Sequence, residues 1–129
     1  MDSNVLLDVA TEDPRWLEWS ATRLEELAEE KVLVINPLIY AEVSVGFDRV
    51  EELDEALSPD WFRRESLPWP AAFLAGKAFL DYRRADGAKE APLPDFYIGA
   101  HAAIRGYGLL TRDAGRYRSY FPRLTVIGP

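Results

Sequence analysis

The chain has no cysteine, one histidine and one methionine in 129 residues. Without thiols it can build neither disulfides nor thiolate metal centres, which fits a reducing cytoplasm, the expected location. Any metal would have to be held by oxygen or by the single His101. Long hydrophobic runs are missing as well. Nothing approaches the roughly 20 apolar residues of a membrane span, and no secretory-signal pattern is present, so no membrane partner is expected. Basic charge is scarce: 15 Lys and Arg stand against 22 Asp and Glu, a net charge of −7. That balance argues against holding nucleic acid on a broad basic face.

What is present suits one α/β domain over residues 1–129, with hydrophobic residues at 48% supplying a core. The charge is unevenly placed. Residues 1–62 carry 4 basic and 16 acidic side chains, a balance of −12, and residues 63–129 carry 11 and 6, a balance of +5. Such asymmetry reads either as a polyanion-binding C-terminal half or as solvated helix faces. The Glu-rich face at 25–30 belongs to the second kind.

Helical spacing in 14–31 places Leu17, Ala21, Leu24 and Ala28 on one stripe. The run VLVI at 32–35 reads as a buried strand, and Asn36 with Pro37 as N-cap and first-turn proline of a helix to about Phe47. A short helix over 50–57, a weak strand in FRRESL and a helix over 70–84 anchored by Phe73, Leu74, Phe79 and Leu80 follow. After the loop ADGAKEAPLP, Asp95 opens a helix that stops at Gly106 and Gly108. Strands GLLT and LTVI, separated by a turn-like AGRYRSYFP, end the chain. Strands alternating with helices imply a mainly parallel sheet flanked by helices.

Four carboxylates fall in contexts otherwise dressed for an interior. Glu42 shares its helical stripe with Leu38, Val45 and Gly46, and a buried carboxylate needs a cation or donors to stay ionised. Asp95 continues into Ile98, Gly99 and Ala102, Asp113 follows an apolar strand, and Asp2 precedes Val5, Leu6 and Leu7. Helix capping or turn formation accounts for each of the three Asp alone. A shared Mg²⁺ or Mn²⁺ would account for all four together, because hard cations favour oxygen ligands. His101, six positions beyond Asp95, is expected to pack rather than ligate. Trp16, Trp19, Trp61 and Trp69 are expected in a core or an interface rather than as RNA-stacking platforms.

In this order, DSNVLLD at 2–8, INPLIYAEVSVGF at 35–47, LPDFYIGAHA at 93–102 and LLTRDAGRYRSYFP at 109–122 resemble the PIN-domain ribonucleases, in particular the VapC toxins of toxin–antitoxin pairs. The resemblance implies a PIN-like three-layer α/β fold and a Mg²⁺- or Mn²⁺-dependent endoribonuclease. It implies an acidic metal site at Asp2, Glu42, Asp95 and Asp113, supported by Asn4 and Thr111. Lys89, Arg112, Arg116 and Arg118 are the candidate phosphate guides. A cognate VapB-type antitoxin, an RNA substrate and a homodimer are the partners it implies.

One departure stands out: related chains have a first strand before the aspartate, and here only Met1 precedes Asp2. Either the true start lies upstream, the reading we favour, or that strand is absent. The competing readings are a PIN-like interaction module without catalysis and, further off, a phospho-acceptor domain. The latter lacks its expected acidic pair and late lysine.

Overall fold

The computed structural model describes residues 1–86 and 93–129. Its contacts divide the chain into two compact units, Met1–Ser66 and Leu67–Pro129.

The N-terminal unit contains helix α1 (Ser3–Ala10), helix α2 (Leu17–Glu30), strand β1 (Leu33–Ile35), helix α3 (Pro37–Ser44), helix α4 (Val50–Ala56) and strand β2 (Phe62–Arg64). β1 and β2 pair in parallel, with Leu33 opposite Phe62 and Ile35 opposite Arg64. The start of α3 follows from its sequence. Asn36 Oδ1 accepts the Ile39 amide at 3.0 Å, and Pro37 occupies the first turn, where its missing N–H costs nothing. The turn into α2 rests on Asp13, whose carboxylate accepts from the Arg15 and Trp16 amides at 2.9 Å each. Val5, Leu6, Leu33, Ile35, Ile39, Val43, Leu53, Leu57 and Phe62 are buried. Within this core Ser20 Oγ donates to the buried Asp8 at 2.8 Å, tying α2 to α1.

The C-terminal unit contains helix α5 (Trp69–Asp86), helix α6 (Leu93–Arg105), strand β3 (Leu109–Leu110), helix α7 (Ala114–Tyr120) and strand β4 (Val126–Ile127). β3 and β4 are again parallel. Phe96 anchors an aromatic cluster, with ring centroids of Phe79, Tyr82 and Tyr120 at 5.4 to 5.6 Å. Gly99 permits the closest approach: a Cβ there would lie 2.6 Å from the Phe121 ring. Gly106, at φ +72°, ends α6 in the left-handed region that glycine tolerates.

Parallel pairing and alternating elements agree with the expected α/β class. Several local expectations need correction. AGRYRSYFP is not a turn but carries α7, because Ala114, Tyr117 and Phe121 recur at helical spacing and are all buried. On α5 two of the expected anchors face solvent, Phe73 at 71% exposure and Leu80; Phe79 packs on Phe96, and Ala71, Ala75, Ala78 and Tyr82 form the buried face. Trp61 and Trp69 are exposed, so of the two expected places, core or interface, they do not occupy the core, and Trp16 and Trp19 are half-buried in an edge-to-face pair at 5.9 Å. Helix α3 stops at Ser44, short of Phe47, and Val45 is exposed, so its buried stripe runs through Ile39 and Val43.

Candidate metal centre

Asp2 stands at the N-cap position of α1, in extended backbone, yet its side chain makes no capping hydrogen bond. Capping therefore does not explain why it is buried, at 5% exposure. The next residue connects it to the second acid. Ser3 Oγ lies 2.9 Å from Glu42 Oε1, to which it donates, and 3.5 Å from Asp2 Oδ1, at the outer limit of a hydrogen bond. Glu42 is half-buried at the edge of the α3 stripe, and α1 packs on α3 to bring it there. Burial pushes the Glu42 carboxyl above its usual value, and the Asp2 charge adds to the rise; the Ser3 hydrogen bond opposes both. The N-terminal unit thus holds two carboxylates around one hydroxyl, with protonation favoured at one. Asn4 is the second residue of α1 and is half-buried, so it is not the helix cap.

In the C-terminal unit Asp95 is the third residue of α6, in its first turn, where the helix dipole favours negative charge. Its Oδ2 accepts a hydrogen bond from the Arg116 guanidinium, which also lies 3.6 Å from Asp113 Oδ2. Arg116, on the first full turn of α7, therefore acts as the counter-charge of both acids. Asp113 precedes α7 without capping it through its side chain. The buried Thr111 fixes the local backbone, its Oγ1 accepting the Asp113 amide at 3.0 Å. Asp113 itself keeps a side chain that is 52% exposed. Arg112 is half-buried and Arg118 exposed, and Lys89 lies outside the described residues. His101 is buried and meets Tyr107 edge-on at 6.2 Å.

The structure thus brings the four expected acids together as two pairs, one in each unit. Among the described residues no three His, Asp or Glu side chains form a group able to hold a metal ion. In the N-terminal unit, Asp2 and Glu42 offer only oxygen donors, and the burial that raises Glu42 is what a hard divalent cation would offset; in the C-terminal unit, Arg116 already supplies positive charge to Asp95 and Asp113. Sequence reasoning missed Ser3, for which the only signal is a hydroxyl directly after Asp2. It also missed Asp8, a buried acid whose i+12 partner Ser20 lies on another helix.

The pattern of the family described as PIN domain matches residues 1–121. No curated protein matches the chain by sequence. Among solved structures it is similar to VapBC2 from Rickettsia felis bound to a DNA fragment from their promoter, at 18% identity and TM-score 0.71, covering 98% of this chain and 94% of that one. It is also similar to FitAcB from Neisseria gonorrhoeae, at 24% identity and TM-score 0.67, over 99% and 95% of the two chains. FitAB bound to an IR36 DNA fragment aligns at 21% identity and TM-score 0.68, over 99% and 92%. At these identities the likeness concerns the fold, which agrees with the α/β architecture and parallel strand pairs described above. The family pattern spans the acids of both units, and the chain belongs to the PIN domain family.

Proposed function

We propose that the chain is a VapC-type toxin: a Mg²⁺- or Mn²⁺-dependent endoribonuclease that hydrolyses RNA phosphodiester bonds and is held inactive by a VapB-type antitoxin. The observation that carries this reading is the Asp2–Ser3–Glu42 arrangement within a PIN domain, a buried and a half-buried acid joined by one hydroxyl, with the Glu42 carboxyl pushed up by burial and by the Asp2 charge. Asp2, Glu42, Asp95 and Asp113 are the proposed metal-binding residues. A bound divalent ion would supply water activation and charge stabilisation at the phosphorus. Ser3 orients the Glu42 carboxylate, Thr111 holds the Asp113 backbone, and Arg116 neutralises Asp95 and Asp113. Arg112 and Arg118, with Lys89, are the proposed guides for phosphate, and Asn4 supports the Asp2 end.

The same reading takes residues 1–129 as a single PIN domain working in the cytoplasm as a homodimer. The similar structures, VapBC2 with a promoter DNA fragment and FitAB with an IR36 DNA fragment, support an antitoxin partner. With a net charge of −7 this chain is poorly suited to bind DNA by itself, so DNA contact would fall to that partner. The bond from Arg116 to Asp95 favours one competing reading, a non-catalytic interaction module in which the guanidinium permanently occupies the acid.

Total RNA incubated with purified protein decides between the two. Discrete fragments that need Mg²⁺ or Mn²⁺, vanish with chelator and vanish in Asp95→Asn are expected, with activity falling by at least about 100-fold in the variant. Wild-type cleavage by Asp95→Asn would defeat the assignment of that residue. No cleavage by the folded wild type would favour the interaction module.

A further inference from the structure

In the N-terminal unit an open cavity of about 360 Å³ lies where β1 and β2 end, lined in the main by Ile35, Asn36, Pro37, Tyr40, Arg64 and Ser66. Ile35 and Arg64 are the last residues of their strands and face each other in the register. Ligands of open α/β sheets are received at this carboxyl edge. One wall has an unusual construction. The Arg64 guanidinium carbon lies 5.1 Å from the centroid of the Tyr40 ring. Asp54 Oδ1 accepts from both groups, from the Tyr40 hydroxyl at 2.8 Å and from Arg64 at 3.0 Å. Exposed pairs of this kind add little stability. Their structural effect is to fix a ring and a guanidinium in one geometry beside the cavity.

The chemistry of the lining selects among ligands. The Arg64 charge is committed to Asp54, and Asn36 Oδ1 is committed to capping α3. Glu65, though paired with Arg63 at 3.1 Å, places a carboxylate in the lining, which disfavours a small anion. Pro37 and the Tyr40 ring present apolar and π surface instead, over the buried Ile35. These properties suit a flat heteroaromatic ring with a polar edge. Resting on the ribonuclease reading above, we propose that this cavity is a nucleobase subsite that seats one unpaired base of the RNA against Tyr40 and Arg64. A purine is preferred, because its larger face gains more from stacking. Tyr40 and Arg64 then become specificity-determining residues for the choice of cleavage site.

The test uses the ¹⁵N-labelled full chain in chelator, titrated with AMP and with UMP, so that binding is read without catalysis. AMP should shift the amide signals of Tyr40, Arg64 and Ser66 at lower concentration than UMP does. Tyr40→Leu should weaken AMP by about tenfold or more, and Tyr40→Phe, which keeps the ring, by less than about threefold. AMP binding that leaves those amides unmoved, or that is unchanged in a folded Tyr40→Leu, would overturn the subsite. A second arm sequences the RNA ends made with Mg²⁺, to separate a base within RNA from a free nucleotide. Tyr40→Leu should alter the base preference beside the cut. An unchanged preference overturns the subsite but leaves the nuclease standing. Intact AMP binding with no cleavage by the wild type would defeat the nuclease reading, and with it the assignment of this cavity to RNA.

Discussion

At Glu42, burial and the Asp2 charge both favour the protonated carboxyl, and only the Ser3 hydroxyl opposes them. The folded value lies above the unfolded one near 4.5, so the stability this group contributes is fully present below that value and is lost as pH rises through the folded one. Glu42→Gln keeps an acceptor for Ser3 without the charge. In chelator, the melting temperature of the variant should therefore gain on the wild type from acid to neutral pH, and saturating Mg²⁺ should raise only the wild type. Identical pH profiles would show that Glu42 is adequately solvated and needs no cation. A different physical limit acts at Gly99. A Cβ placed 2.6 and 2.8 Å from ring atoms of Phe121 must displace that buried ring, so Gly99→Ala should cost about 1–3 kcal/mol in chemical denaturation. A neutral result would mean that Phe121 has room to move.

Between elements, the Ser20–Asp8 bond joins α2 to α1 through a residue that is fully buried and an acid at 2% exposure. Ser20→Ala removes a donor from an interior carboxylate and should destabilise by about 1–3 kcal/mol in chemical denaturation. A folded Ser20→Ala as stable as the wild type would show that another donor serves Asp8. The α3 cap was legible in the sequence because Asn36–Pro37 acts through its own backbone neighbours, a local cause. The helix α7 was not, since Gly115 and the arginines around Tyr117 mask a buried face that only tertiary packing reveals. The same holds for α5. Its alanines take the interior and its Phe73 the solvent, against what hydrophobicity alone predicts. For the candidate site, apolar settings single out the acids and Arg116 stands among the expected phosphate guides, but the Ser3 bridge to Glu42 and the pairing of Arg116 with Asp95 could not be read. A hydroxyl next to Asp2 and an arginine 21 positions after Asp95 acquire meaning only once the chain is folded.

Across the whole molecule, the shortage of basic groups limits how the proposed RNA substrate would be held. With Arg116 engaged by Asp95, the proposed guides are Lys89, Arg112 and Arg118. Three phosphate contacts give a log–log dependence of affinity on salt no steeper than about −2 for single-stranded RNA. Fluorescence anisotropy over a KCl series in chelator measures it, and a slope well beyond that value would require a basic surface other than these residues. The sheet pairing has a consequence of another kind, in the order of events during folding. Leu33 meets Phe62 in parallel, and the crossover between them carries α3 and α4. No hairpin can nucleate that contact, because parallel strands close only after the intervening chain has doubled back. The Asn36 cap and the Asp13 turn form from their immediate neighbours and can act early. The strand ends that bear Ile35 and Arg64, and the cavity they frame, come into being late, when the helices already limit where β2 can land.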